Sequence, residues 1–278
     1  AATRASAGGR SALRWLFIIG GALAGFLLLV GHYSAWGPLD PGSPQTTRTW
    51  LTALVWINLA VILMVVTTTA ATTLTREKES QTIELLLSTP LTSQYIIAGM
   101  LRGLVSFALP LIAVPTSTLA LFILAGLIAI GSREPVVSFE SLLLVPLLMT
   151  AYAAMAAMIG LYVSLVSRKT VQAVMLSTAT VLGAAGLLWG CGAALLAADP
   201  MVGAVALPFT PFPAMQALID YQQVFDPGVG TSSATIQTAR LVRGFFSLAS
   251  AAIYLAVTYS IYRNMVRGFD MTVRRQTA

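Results

Sequence analysis

Six long apolar stretches, none containing an Asp, Glu, Lys or Arg, constrain this chain more than any other feature: residues 15–33, 50–74, 103–130, 141–167, 170–198 and 244–262. A helix that crosses a bilayer needs about 20 such residues. In lipid, every backbone N–H and C=O must be satisfied within the structure, and a helix does that by itself. The expected fold class is therefore an all-α membrane protein with six transmembrane helices, residues 1–278 forming a single transmembrane domain. The first stretch has basic flanks like a signal peptide's. It is longer than a usual h-region and other helices follow it, so it reads as a retained helix. The first residue is Ala1 rather than Met, which leaves room for an upstream segment and a further helix in it. Pro110 and Pro115 in the third stretch remove backbone donors and should kink or break that helix. Packing and a bend beside a transport path both explain them.

Composition closes the soluble alternatives. Hydrophobic residues make up 57% and charged residues 9% of the chain, whereas a soluble domain carries about 25% charged residues. A soluble globule must cover its surface with polar groups, so lipid is the solvent that fits. The 16 basic against 10 acidic residues, net +6, then report orientation and contact with membrane lipids rather than nucleic acid. The only lysines are Lys78 and Lys169. Neither lies in a G-x-x-x-x-G-K-[ST] frame, so the chain carries no P-loop ATPase of its own. The single histidine, His32, and single cysteine, Cys191, leave no metal-ligand spacing and no intramolecular disulfide. His32 suits an interfacial, aromatic-like place at the outer end of the first helix. No catalytic residue and no metal ligand are expected.

Orientation follows from the basic residues in the connecting segments. With the N-terminus placed inside, the inner segments hold Arg4, Arg10, Arg14, Arg76, Lys78, Arg102, Arg168, Lys169, Arg263, Arg267, Arg274 and Arg275. The outer ones hold only Arg48, Arg133, Arg240 and Arg243. Both termini are thus expected in the cytoplasm, in a multi-pass protein of the cell (inner) membrane. Residues 199–243 break the pattern. Their first half is apolar but carries Pro208, Pro211 and Pro213, which suggests a broken helical segment between helices five and six that dips into the outer leaflet or lies along the interface. Residues 226–238, rich in Gly, Ser and Thr, read as an exposed loop. An ordinary outer loop and a gate both fit the region.

The most informative connection lies between the second and third helices, R-E-K-E-S-Q-T-I-E-L-L-L-S-T-P-L at residues 76–91. On a helical wheel Glu77, Gln81, Glu84 and Ser88 form a polar stripe, with Ile83, Leu86, Leu87 and Pro90 opposite. Pro90 should end the helix, because the residue before a proline is pushed toward an extended conformation. The expected element is a short amphipathic helix over residues 76–90, lying on the cytoplasmic surface. Glu77, Glu79 and Glu84 are three of only four carboxylates on the inner side, Asp270 being the fourth. A surface for a partner's basic groups and a simply solvated face both explain them.

The same residues resemble an element of the ABC-2 membrane-subunit family, R-E-[KR]-E-x-G-T-[LIM]-E-x-L-L-x-[ST]-P. The matching positions are Arg76, Glu77, Lys78, Glu79, Thr82, Ile83, Glu84, Leu86, Leu87, Thr89 and Pro90. Gln81 stands where the family often has Gly, and Met100 where it often has Lys. The resemblance implies an export permease that works as a homodimer or heterodimer with separate cytoplasmic ATPase subunits. It binds no cofactor itself, and ATP is held by the partner. The segment becomes a coupling helix, with Arg76, Glu77, Lys78, Glu79, Thr82, Glu84, Leu87 and Pro90 as contacts to that ATPase. In the second helix, Thr68 and Thr72 belong to a row of small hydroxyl residues that suits either a subunit interface or packing within one bundle.

The rival readings are an ion-coupled secondary transporter and a non-transport membrane assembly protein. Ion coupling usually requires ionisable groups inside the membrane, and the six stretches have none. An assembly protein has no evident need for the acidic amphipathic helix. The substrate stays open among lipids, drugs, polymers, lipid-linked species and small ions.

Overall fold

The computed structural model describes residues 2–34, 44–79, 93–128, 136–167, 169–198, 202, 205–220 and 233–277. In chain order the elements are α1 (Ala2–Ser34), α2 (Pro44–Glu79), α3 (Ser93–Ile128), α4 (Ser141–Val166), α5 (Thr170–Ala198), a 3-10 turn (Leu207–Phe209), α6 (Pro211–Ile219) and α7 (Ser233–Thr277). Six helices are long and apolar enough to cross a membrane, over Arg14–Tyr33, Gln45–Arg76, Ile97–Ile128, Ser141–Val166, Thr170–Leu195 and Leu241–Arg267. The all-α, six-span expectation is met, and no strand occurs among the described residues.

Helices α2 and α4 form the centre. Helix α2 touches α1, α3, α4, α5 and α6, while α4 touches α3, α5, α6 and α7. On α2, Leu51, Val55, Leu59, Ile62, Val66, Ala70 and Leu74 recur at helical spacing and are all buried. They share one core with Val145, Leu148, Met149, Tyr152, Ala156 and Leu161 of α4. Lipid tails are as apolar as these side chains, so association rests on close packing rather than on escape from water. The tightest point is Gly160. A Cβ there would stand 2.8 Å from both the Ala70 Cβ and the Thr67 carbonyl oxygen. Helix α1 docks on α3 through a G-x-x-x-G pair, Gly21 and Gly25. Added Cβ atoms would meet Val114 at 2.7 Å and Thr118 at 2.5 Å. The remaining faces present large apolar side chains outward, among them Leu16, Ile19 and Phe26 of α1 and Val171, Met175 and Leu187 of α5. These are lipid-facing surfaces.

Three readings of the sequence are refined. Of the kink or break expected at Pro110 and Pro115, the break does not occur: helix α3 is continuous through both. Second, α2, α3 and α7 extend well beyond their uncharged stretches. Arg, Lys and Glu are good helix formers, so the helix continues where the apolar window stops. Third, His32 is buried among other side chains. Its Nδ1 lies 2.7 Å from the Thr47 hydroxyl, and its ring meets Tyr33 edge-on.

Candidate functional site

The residues that stood out in the sequence begin on the last turn of α2. No breaker separates Leu74 from Glu79, so Arg76 to Glu79 continue the spanning helix beyond the apolar run. This turn is fixed to the short connection between α4 and α5. The Thr75 amide donates to the Ser164 hydroxyl at 3.0 Å. The Lys78 ammonium donates to the Ser164 carbonyl at 3.1 Å, the Ser167 carbonyl at 3.3 Å and the Leu165 carbonyl. These carbonyls close the C-terminus of α4, where the helix dipole favours a cation. One residue on, a Glu79 carboxylate oxygen accepts the Thr170 amide at 2.8 Å. Thr170 opens α5, where the dipole favours an anion. Adjacent side chains of opposite charge thus cap the end of one helix and the start of the next.

The electrostatics follow from the geometry. Burial lowers the Lys78 ammonium to about 8. The Thr170 amide holds the Glu79 carboxyl below the usual carboxylate range, and Arg76 adds to this. Arg76 itself is exposed. Thr82, Glu84, Leu87 and Pro90 lie outside the described residues, as does the rest of the expected amphipathic helix beyond Glu79. Glu77 lies on the α2 turn, and its side chain is outside the description. Thr68 and Thr72 are half-buried on α2, their hydroxyls donating to the Val65 carbonyl at 3.1 Å and the Thr69 carbonyl at 3.0 Å. Their neighbour Thr67 lies at the close α2–α4 crossing.

At the opposite end of α2, the proline-broken segment is buried in the bundle. Leu207, Pro208, Pro211, Pro213 and most of α6 are covered. Three aromatic donors hold its backbone. The Tyr152 hydroxyl donates to the Pro208 carbonyl at 3.2 Å, Tyr254 to Phe209 at 2.7 Å, and the Trp56 indole to Phe212 at 2.8 Å. Extended Thr210 separates Phe209 from α6, and the Phe209 carbonyl takes the Tyr254 hydroxyl as its donor. The last turn of α6 is held by Ser141, whose hydroxyl donates to the Leu218 carbonyl at 2.6 Å, and by Arg243, which donates to that of Ala217 at 3.3 Å.

Sequence reading counted Arg48 and Arg243 as outer-loop charges. The structure buries both, at 1% and 3% exposure. Arg48 donates to the Val136 carbonyl at 3.0 Å, and Arg243 also pairs with Glu140 at 3.4 Å. No local pattern distinguishes them from loop arginines. The G-x-x-x-G pair on α1, by contrast, was there to be read.

Compared with models of known families, residues 16–266 match the ABC-2 family transporter protein. No curated protein matches the chain.

Proposed function

Because the chain belongs to the ABC-2 transporter family, and so is a multi-pass membrane permease of an ABC transporter rather than its catalytic ATPase, we propose that it serves an ATP-driven exporter. In this reading, residues 76–90 carry motion from a cytoplasmic ATPase subunit into the bundle. Arg76, Glu77, Lys78, Glu79, Thr82, Glu84, Leu87 and Pro90 form the coupling region, and ATP is bound and hydrolysed on the partner. Two permease copies, identical or homologous, assemble in the inner membrane with termini in the cytoplasm, and Thr68 and Thr72 lie at or near their contact.

One observation chiefly supports this reading. The rigid central helix α2 runs past its apolar span to Glu79 and leads directly into the charged segment. A push on that segment therefore acts on the helix that contacts most of the bundle. The acidic residues Glu77 and Glu84 suit a basic groove and would set partner choice and orientation more than raw affinity. Glu84→Arg should weaken co-purification with the ATPase encoded beside this chain and lower ATP turnover by the complex. Unchanged association with unchanged turnover would overturn the coupling assignment.

A further inference from the structure

Lys78 and Glu79 match the coupling element by sequence, yet both make hydrogen bonds within their own chain. We propose that the two residues form an internal clasp that transmits movement of the coupling segment to the α4–α5 hairpin. They are then positioning residues rather than contacts to the ATPase, and this assignment rests on the coupling reading above.

The geometry carries the proposal. Lys78 is half-buried and donates to three carbonyls at the end of α4. Glu79 accepts the first amide of α5. Thr75, one turn earlier, donates to Ser164, so three consecutive anchors join the end of α2 to residues 164–170. At this level the bundle has a polar joint, whereas much of the α2–α4 contact among the described residues is apolar packing. Packed apolar faces can slide, but hydrogen bonds to helix ends fix both position and direction. The hairpin so held is consequential. Its two helices, α4 and α5, both pack against the buried outer segment α6. Movement entering at residues 80–92 would turn the end of α2, draw the 164–170 connection with it, and reach the opposite end of the bundle through α4 and α5.

Two measurements test the clasp. In the permease alone, in nanodiscs, amide hydrogen exchange at Thr170 should be protected in the unaltered chain and lose that protection in Glu79→Ala, which has no side-chain acceptor. Lys78→Arg, which keeps a cation at the α4 carbonyls, should retain it. A Thr170 amide that exchanges freely in the unaltered chain, or equally slowly in the unaltered chain and in Glu79→Ala, overturns the clasp whatever the ATPase does. In the complex with its ATPase, environment-sensitive fluorophores are placed on cysteines at Lys169 or at Tyr95, both exposed, with Cys191 replaced by Ser. ATP should shift both reporters in the unaltered complex. In the double variant Lys78→Met, Glu79→Ala the Tyr95 reporter should keep its shift, since the segment beside it still moves, and the Lys169 reporter should lose its shift. A retained Lys169 shift overturns the transmission role while leaving the coupling reading intact. If ATP shifts neither reporter in the unaltered complex, the coupling reading falls and this inference falls with it.

Discussion

Burial lowers the Lys78 ammonium from 10.5 to about 8, while three α4 carbonyls accept its protons. The folded chain therefore releases this proton before the unfolded chain does, and stability linked to Lys78 rises as the pH climbs from about 8 toward 10.5. Below about 8 the cost of burying the charge stands in full. Glu79 has the opposite sign. The Thr170 amide lowers its pKa, so its contribution is present above the ordinary carboxylate range and is lost only as the pH falls through the lowered value. Both charges of the clasp are therefore in place near neutral pH. Lys78→Met removes the alkaline term alone. The thermal midpoint of the unaltered protein in detergent, minus that of the variant, should increase through the alkaline window. A difference that stays flat there would mean that the ammonium is solvated. The residues themselves stood out in the sequence as charges beside an apolar run, but their partners did not. Ser164 and Thr170 lie far along the chain, and nothing local marks a helix end as a ligand for a distant lysine or glutamate.

Among the elements, the broken segment between α5 and α7 shows how much a pattern can reveal. Pro208, Pro211 and Pro213 announce an irregular backbone in an apolar setting, and such a backbone persists at depth only where protein satisfies it. What satisfies it was hidden, because Trp56, Tyr152 and Tyr254 read as ordinary apolar-span aromatics until the fold brings them together. Tyr254→Phe leaves the Phe209 carbonyl without this donor and should cost about 1–3 kcal/mol. The loss would appear as a lower thermal midpoint and as faster labelling of a cysteine at buried Met215. Tyr152→Phe should do less, since its bond is longer at 3.2 Å. If both variants label as slowly as the parent, these hydroxyls do not hold the segment. Gly160 tests the central crossing. An added Cβ meets Ala70 and the Thr67 backbone at 2.8 Å, and a backbone oxygen cannot turn aside as a side chain can. Gly160→Ala should therefore destabilise the bundle by about 1–3 kcal/mol. Ala70→Gly should restore only part of this, because the Thr67 contact remains. Full rescue would place the strain on Ala70 alone.

Over the whole molecule, two independent lines place the connections on the same two sides. The first is charge, with twelve basic residues in one set of connecting segments and four in the other. Burial sharpens that contrast, because Arg48 and Arg243 hold the Val136, Ala217 and Glu140 positions from within the bundle and are not loop charges free to meet headgroups. The second is contact. Lys78 and Glu79 join the end of α2 to the α4–α5 connection, so those two lie at one end. His32 with Thr47, Arg48 with Val136, and Arg243 with Glu140 gather the other connections at the opposite end. Six spans in alternation require this arrangement, and a miscounted helix would have put partners of one hydrogen bond on opposite faces of the bilayer. In the proposed orientation, which follows the positive-inside trend, the clasp end faces the cytoplasm. Single cysteines at Ser80 and Ser232, with Cys191 replaced by Ser, should react with a membrane-impermeant maleimide from opposite sides of sealed vesicles. Ser80 should label only when the cytoplasmic face is outward. Labelling of both from one side would remove a span from the count. Labelling of the two in the reverse sense would keep the six helices and invert the protein, moving residues 76–90 away from any cytoplasmic ATPase and ending the coupling reading with them.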